Sequence, residues 1–535
     1  IARRGAGSAV LIPTARRAII WRTKHDKRTF TGKVDFVTAR GNVSDIVTPL
    51  CVFTMHEGEL ILKSVHPTSS IEEVAANTGF PIRYFSIERR PPRRRSCAPC
   101  ARSTPWITGA SSSDDCSFGN DKNKIERKSS IMSRFDTYFL MKEADVIEYV
   151  KAKYPDFFAP EAVLTVKEIG DGNLNYVFRV IEEATGKSII VKQAGVSLRI
   201  SAEMKVSTDR NRIESEILQI QDKYAPGLVP KIYGYDTVMC ACAMEDLSDH
   251  ALMRYALMRH ETFPRFAEDI STYMVNTLLK TTDVAMEHKE KKAMVKSFIN
   301  PELCEITEDL VLTEPYNDCN HRNNVFPPIA DFVKKELYED EALKLAVAKI
   351  KFEFMNNAQA LIHGDLHTGS IFVKQDSTRV FDPEFAFYGP MGYDIGNVVA
   401  NMIFAWDNGR AAGADAFCDW CLKAIADTID LFCKKFLVCF DACVTDLMAK
   451  TPGFKEFYLE SVLSDTAAYA GTELIRRTVG MANVKDVTTI ADEAKRAHAE
   501  KVNILCAKDY IMNRAAFKNG ADFIAAVTRA DEAAK

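Results

Sequence analysis

Two short acidic segments of the 535-residue chain carry the residue types that phosphoryl transfer needs. The first is His-Gly-Asp-Leu-His at 363–367, with Asp365 at its centre, and the second is Asp-Pro-Glu at 382–384. One carboxylate can orient an acceptor hydroxyl and take its proton, while others bind a metal ion that neutralises phosphate charge. A lone Asp in a loop usually caps a turn. The two segments in this order instead predict Asp365 as the catalytic carboxylate, and Asp382 and Glu384 as Mg²⁺ ligands.

The elements around these segments can be predicted from the hydrophobic pattern. A long amphipathic helix over about 341–361 leads into the loop of Asp365, and a short apolar strand precedes Asp382, which lies 17 positions after Asp365. A hairpin of that length brings both carboxylates to one place. The pattern therefore predicts a single acidic site built from two neighbouring loops.

A second group of elements precedes them. Strands are predicted over 163–169, 176–181 and 188–192, and Gly-Asp-Gly-Asn-Leu-Asn at 170–175 forms the turn between the first two. The N–H groups of such a turn can approach phosphates, and Lys192 supplies a point charge at the end of the third strand. Taken alone, the turn is also ordinary hairpin chemistry, and a Lys at a strand end is usually a solvated cap.

A helix over about 207–223 and a strand over 238–244 follow. Glu214 and Glu216 on the helix are both candidates for a carboxylate that pairs with Lys192. A solvated helix charge is an equally good interpretation of either residue.

The order of these elements is typical of the nucleotide-binding lobe of a kinase-like fold. Glu245, Asp246 and Leu247 stand where the hinge of such a fold offers backbone groups to adenine. Protein kinases carry Asp-Phe-Gly where this chain has Asp-Pro-Glu, and Asn where it has Ser370. The departures exclude an ordinary protein kinase and favour a small-molecule kinase.

Longer segments resemble the S-methyl-5-thioribose kinase family over about 132–535. The matching segments lie at 168–178, 191–194, 209–214, 244–249, 298–310, 363–372, 382–397 and 473–480. The resemblance implies ATP- and Mg²⁺-dependent phosphorylation of the anomeric hydroxyl of methylthioribose, in methionine salvage. It implies an ATP-binding set made of Asn175, Lys192, Glu245, Asp246, Leu247, Asp382, Pro383 and Glu384. It also implies that Asp365, Arg476 and Arg477 bind the sugar, with Asp365 as the base.

Several alternatives accompany this interpretation. Arg476 and Arg477 by themselves look like surface charge on a helix, although an arginine fork suits phosphoryl and hydroxyl oxygens. Aminoglycoside and choline kinases share the fold but bind cations, for which paired arginines are unsuitable. A nucleotide-binding pseudokinase would be expected to lack Lys192, Asp365 or Asp382, and all three are present. The segment 201–206 departs from the family and predicts altered affinity for nucleotide or sugar.

The predicted fold class is α+β. A bilobal protein-kinase-like fold is expected, with a small β-rich N-lobe at 132–247 and a large, mainly helical C-lobe at 248–535. Residues 1–82 are predicted to be β-rich, and their segments at 41–53, 65–67, 71–74 and 77–80 resemble the C-terminal end of a glutaconate-type CoA-transferase β subunit. The resemblance implies a partial α/β fragment before the kinase-like fold and makes a fused CoA-transferase and kinase a further alternative. Residues 83–131 are polar and Pro- and Arg-rich, and predict a disordered linker.

Charge and composition narrow the functional classes. The net charge is −4, yet the first 131 residues hold 22 Lys and Arg against 12 Asp and Glu, and the remainder holds 47 against 61. The overall charge therefore carries no signature of a nucleic-acid partner. The arginine cluster at 89–95 could be a nucleic-acid or targeting patch, but a solvated linker is the more common interpretation. No apolar run approaches the roughly 18–20 residues of a membrane helix. The 14 scattered Cys suggest reduced thiols and a cytoplasmic protein, and the family resemblance implies a homodimer.

Overall fold

The computed structural model describes residues 18–27, 30, 43–56, 59–66, 69–83, 134–169, 175–195 and 207–535. Two compact units divide the chain, Ile1–Ile125 and Glu126–Lys535. The turn at 170–174, the divergent segment 201–206 and the arginine cluster at 89–95 lie outside the described residues, as does most of the predicted linker. In the described part of the chain every cysteine is a free thiol.

The first unit contains a four-stranded sheet and one helix. Its elements are β1 Ala18–Trp21, β2 Val43–Val47, β3 Cys51–His56, β4 Glu59–Val65 and α1 Ile71–Asn77. The strands follow in the order β1-β2-β3-β4, with β1 parallel to β2 and the other pairs antiparallel. Phe53 and Leu62 pack with Val74 of the helix in its core. The β-rich character is confirmed, whereas the CoA-transferase resemblance stays a prediction.

The second unit begins with an antiparallel five-stranded sheet. Its elements are α2 Glu143–Lys153, β5 Leu164–Ile169, β6 Asn175–Glu182, β7 Ser188–Ala194, α3 Asp209–Tyr224, β8 Ile232–Asp236 and β9 Ala241–Met244, with the sheet order β5-β6-β7-β9-β8. Buried residues such as Phe178, Val180, Ile189 and Val191 alternate with less buried neighbours, because successive side chains of a strand point to opposite faces. The three predicted strands and the predicted helix are all present.

The strand predicted over 238–244 is wrong at its start. Residues 238–240 form a turn, in which Oδ1 of Asp236 accepts the N–H groups of Val238 at 2.9 Å and Met239 at 3.0 Å. Cys240 has a φ of 48°, which an extended strand cannot accommodate. The apolar side chains of this segment indicated a strand from residue 238. The carboxylate of Asp236 instead stabilises a turn there, so β9 begins only at Ala241.

The rest of the second unit is mainly helical. Its elements are β10 Ala251–Leu252, α4 Met253–Met258, α5 Phe266–Leu278, α6 His288–Ser297, α7 Pro301–Leu310, α8 Ala330–Val333, α9 Glu341–Asn356, β11 Ala360–Ile362, β12 Ile371–Lys374, β13 Ser377–Val380, β14 Phe387–Gly389, α10 Gly392–Ala412, α11 Asp415–Cys443, α12 Phe454–Val479, α13 Lys485–Thr488, α14 Glu493–Met512 and α15 Gly520–Ala533. A Cβ on Gly396 of α10 would lie 2.5 Å from the Ala470 nitrogen of α12, so only glycine permits this close crossing. The predicted division into β-rich and helical parts is confirmed.

The helix predicted over 341–361 ends five residues early. The α9 helix stops at Asn356, and residues 360–362 form β11, which pairs antiparallel with β14. Hydrogen bonding to the 387–389 strand replaces the helical bonds there, which an apolar pattern alone cannot reveal. Within the described residues, no helix is both long and apolar enough to cross a membrane.

Candidate active site

The loop that carries Asp365 is fixed from two sides. Gly364 has a φ of 81°, and a Cβ there would lie 2.4 Å from the Phe385 carbonyl oxygen, so the position requires glycine. The carboxylate of Asp394, at the start of α10, accepts the N–H groups of His363 at 2.7 Å and Gly364 at 3.0 Å. The main chain next to Asp365 is thereby held by the buried core helix.

The same loop is tied to the second acidic segment. His363 Nε2 lies 2.9 Å from the Phe381 carbonyl oxygen, and the Phe381 N–H donates to the Ser370 carbonyl at 3.1 Å. Asp382, the next residue, has a φ of 66°, an uncommon conformation for a residue other than glycine. The structure therefore brings the Asp365 loop and the Asp382 segment together, as their spacing in the sequence indicated.

Three nitrogen groups surround Asp365. Its carboxylate lies 3.2 Å from Nη2 of Arg476, 3.8 Å from Nη2 of Arg477 and 3.3 Å from Nε2 of His367. Burial would raise the pKa of Asp365, but His367 and the two arginines hold that pKa well below its usual range. The carboxylate is therefore ionised and ready to accept a hydrogen bond.

A buried carboxylate holds the paired arginines in place. Glu473, one helical turn earlier on α12, accepts Nε of Arg476 at 2.5 Å and Nε of Arg477 at 3.0 Å. Burial would raise the pKa of Glu473, yet the two guanidinium groups lower it below its usual range. We did not single out Glu473 from the sequence. Its spacing of three and four residues before the arginines was the available signal.

Lys192 of β7 pairs with two carboxylates. Its Nζ lies 2.8 Å from Oε1 of Glu214 and also contacts Asp382. Burial would lower the pKa of Lys192, but Asp382 and Glu214 raise it, so the ammonium is charged. Of the two candidates on α3, Glu214 is the partner, whereas the half-buried Glu216 pairs with Arg212 at 2.7 Å.

Three carboxylates form a group that suits a hard cation. Ligand atoms of Glu214, Asp382 and Glu384 all lie within 4.8 Å of one another. Burial raises the pKa of Glu214 and of Glu384, and Asp382 adds like-charge repulsion. Mg²⁺ prefers oxygen ligands such as carboxylates, so the predicted pair Asp382 and Glu384 fits that ion, with Glu214 close by and bound to Lys192. Pro383 lies buried between the two ligands, and its carbonyl accepts the Ala386 N–H at 3.1 Å.

Asn175 and a buried arginine connect this group to neighbouring loops. Asn175 Nδ2 donates to Oε2 of Glu384 at 2.6 Å, and Arg210 Nε donates to Oδ1 of Asn175 at 3.0 Å. Arg210 Nη1 donates to the Ser207 carbonyl at 2.7 Å and Nη2 to the Gly195 carbonyl at 3.1 Å. One guanidinium thus fixes an ATP-binding candidate and two loop ends. Sequence reasoning missed Arg210.

The predicted hinge residues directly follow β9, as expected; they are Glu245, Asp246 and Leu247. The Asp246 carboxylate accepts Arg179 Nε at 2.5 Å and Ser188 Oγ at 2.6 Å, so this side chain links the segment to β6 and β7. Leu247 is buried. A role of this segment toward adenine therefore falls to its backbone and apolar surface rather than to the Asp246 carboxylate.

The second unit contains a region that matches a known protein family. The model of the phosphotransferase enzyme family matches residues 165–426. Methylthioribose kinase of Yersinia pseudotuberculosis is 38% identical over 375 residues, which cover 69% of this chain and 91% of that protein. Methylthioribose kinase of Yersinia enterocolitica is 36% identical over 401 residues, covering 74% and 99%. Among solved structures, Plasmodium vivax ethanolamine kinase is 17% identical, and the match covers 68% of this chain and 90% of that one with a TM-score of 0.38.

Proposed function

The chain belongs to the methylthioribose kinase family, and on that footing we propose that it transfers the γ-phosphoryl group of ATP to the anomeric hydroxyl of S-methyl-5-thioribose. The product is the sugar 1-phosphate of methionine salvage. The observation that best supports this reaction is the position of the ionised Asp365 between His367 and two arginines that a buried Glu473 holds.

On the acceptor side, Asp365 orients the hydroxyl and takes its proton. The hydroxyl oxygen attacks the γ-phosphorus, the bond to the β,γ-bridging oxygen breaks, and ADP leaves with that electron pair. Because the pKa of Asp365 lies far below neutral, the carboxylate acts mainly by orienting the hydroxyl, and the proton moves late in the transfer. Arg476 and Arg477 hold sugar and phosphoryl oxygens through fixed N–H geometry.

On the donor side, Lys192 and Asn175 bind the ATP phosphates. Asp382 and Glu384 would hold Mg²⁺, which when bound neutralises charge on the β- and γ-phosphates. Glu214 keeps the Lys192 ammonium in place when ATP draws it away from Asp382. The segment from Glu245 through Asp246 to Leu247 binds adenine. Pro383 also contributes to the nucleotide site.

The family also supports some finer proposals. We propose that the protein acts as a homodimer in the cytoplasm, which a mass measurement in solution and fractionation of cells would test. Residues 1–82, with their CoA-transferase resemblance, take no part in the kinase reaction, and residues 83–131 serve as the linker between the two. Deletion of residues 1–131 is therefore expected to leave sugar kinase activity intact.

The competing acceptors fit the charges less well. A choline or aminoglycoside kinase must attract a cation, but Arg476 and Arg477 flank the acceptor carboxylate here. A nucleotide-binding pseudokinase is disfavoured because the lysine–glutamate pair of Lys192 and Glu214 is formed and the proposed metal ligand Asp382 is present beside it.

The direct test is ATP consumption by the full chain with Mg²⁺ and four acceptors: methylthioribose, ribose, choline and kanamycin. We expect turnover with methylthioribose and little with the other three. Faster turnover with choline or kanamycin would overturn the acceptor while retaining the kinase. If no acceptor is phosphorylated although ATP binds, the pseudokinase alternative holds instead.

A further inference from the structure

Arg254, the second residue of α4, brings a third guanidinium to the Asp365 site. A Cβ on Gly369 would lie 3.1 Å from both Cζ and Nη1 of Arg254, and 2.8 Å from Cε1 of His367. His367 in turn contacts Asp365 through Nε2 at 3.3 Å. Arg254 therefore lies on the acceptor side of the site, against the loop that carries the catalytic carboxylate.

Two nitrogens of Arg254 lack the partners that buried donors normally have. Its side chain is 18% exposed, and Nε and Nη2 are shut off from solvent without a hydrogen-bond acceptor among the described residues. Asp486 approaches Nε only to 4.0 Å, too far for a hydrogen bond. Leaving buried guanidinium donors unpaired is costly, so a ligand that accepts from them is expected.

The charges nearby favour an anionic ligand over a neutral one. Burial and the like charge of Arg477 lower the pKa of Arg254, although the carboxylates of Asp486, Asp365 and Glu473 oppose that change. Burial likewise lowers the pKa of His367, and the positive charge of Arg254 lowers that pKa further. A bound anion would offset the repulsion between Arg254 and Arg477, which a sugar hydroxyl cannot do.

We propose that Arg254, together with Arg477, forms the binding site for the phosphate group of the sugar 1-phosphate product, on the acceptor side of Asp365. This inference rests on the proposed function, since the phosphate is the group that the reaction places there. On the proposed function, the ATP phosphates bind on the other side of the site, at Lys192 beside Asp382. The two phosphate positions therefore use different residues. Arg254 then retains the transferred group rather than the incoming sugar.

The simpler structural alternative is that Arg254 only forms a long ion pair with Asp486 that stabilises the start of α13. In that case its replacement would lower the melting temperature or affect sugar and product equally. Replacing Asp486 by Asn would then have the same effect as replacing Arg254. The proposal instead requires a selective loss of affinity for phosphate.

The test compares wild type with Arg254→Gln, Arg254→Lys, Asp486→Asn and the control Arg259→Gln. Arg259 follows the same helix, is 55% exposed and pairs with Glu261. Product inhibition by methylthioribose 1-phosphate and the KM for methylthioribose are measured on the full chain. Calorimetric titration of inorganic phosphate into the ADP-bound enzyme supplies a second readout that needs no sugar.

Arg254→Gln is expected to weaken inhibition by the product and binding of phosphate by about tenfold or more, while the KM for methylthioribose changes less than about threefold. Arg254→Lys keeps the charge but not the parallel N–H groups, so it should show the same selective loss if Arg254→Gln does not fold. Asp486→Asn and Arg259→Gln should retain product affinity. Unchanged product and phosphate affinity in a folded Arg254 variant, or an equal loss for sugar and product, would overturn the proposal. A wild type that does not phosphorylate methylthioribose but binds phosphate through Arg254 would instead refute only the proposed acceptor.

Discussion

Nζ of Lys192 lies 2.8 Å from Oε1 of Glu214, and both side chains are almost completely buried. The pair joins β7 to α3, so the position of Lys192, which we propose binds the ATP phosphates, depends on the helix that follows it. A lone buried charge is strongly unfavourable, which makes each member of the pair necessary to the other.

Replacement of Glu214 by Gln should therefore impair ATP use. The ammonium of Lys192 loses a charged partner, and we expect kcat/KM for ATP to fall about tenfold to a hundredfold. Glu216→Gln on the same helix is the matched control, since Glu216 is half-buried and pairs with Arg212 rather than with Lys192. Steady-state kinetics at varied ATP measure both. Equal effects of the two substitutions would show that the helix charge, rather than this contact, matters.

Arg210 offers a second matched pair with its neighbour Arg212. Arg210→Lys cannot keep three separate hydrogen bonds to Asn175, Ser207 and Gly195, so we expect the KM for ATP to rise about tenfold. Arg212 is half-buried and pairs with Asp209 and Glu216 but does not contact Asn175, so Arg212→Lys should leave KM within about twofold. The assay is ATP titration at saturating sugar. An Arg210→Lys enzyme with an unchanged KM for ATP would remove the role assigned to this guanidinium.

Glu473→Gln should act on the sugar side instead. Without its charge, Arg476 and Arg477 lose the anchor that directs them to Asp365, so we expect KM for methylthioribose to rise about tenfold. The KM for ATP should stay nearly constant. Glu460→Gln, an exposed residue of the same helix that pairs with Lys518, is the control. A rise in both KM values, or in neither, would count against the separation of the two sides.

The candidate site was largely predictable because its residues are clustered in the sequence. Asp365, Asp382 and Glu384 occur in two short motifs. The His363 side chain joins the two loops through the Phe381 carbonyl, while the N–H groups of His363 and Gly364 tie the first loop to Asp394. Hydrophobic alternation likewise identified the strands of the first lobe, because one face of each packs on the core.

What the sequence did not reveal depends on contacts over long distances in the chain. Arg210 and Arg212 are indistinguishable as letters, and only packing decides which is buried beside Asn175. Arg254 is separated from Gly369 by more than a hundred residues. The early end of the helix predicted over 341–361 has a similar origin, since β11 pairs with a strand further along the chain.

Asp465 supplies a pH-dependent contribution to stability. Burial raises its pKa to about 7, while Arg514 at 3.6 Å opposes and Glu353 adds to the rise. The folded state thus binds a proton that the unfolded chain has released, so this stability is complete below about pH 4 and is lost as pH rises toward 7. Over that range the free energy of unfolding of the wild type should fall by about 2–4 kcal/mol, and the Asp465→Asn variant should not show this fall.

Urea unfolding at about pH 5 and about pH 7.5 measures that difference, with wild type and Asp465→Asn compared at each pH. The variant should gain stability relative to wild type as the pH increases. If the two proteins keep a constant difference across the range, Asp465 does not titrate as described.

We propose that Asp365 orients and deprotonates the sugar hydroxyl while taking no part in ATP binding. The most direct measurement is kcat for methylthioribose together with the dissociation constant for ATP, in wild type and in Asp365→Asn. We expect kcat to fall by about 10²–10⁴-fold, with ATP affinity unchanged within about twofold. A folded Asp365→Asn enzyme that keeps its kcat within about fivefold, or that loses ATP binding in proportion to activity, would contradict the account.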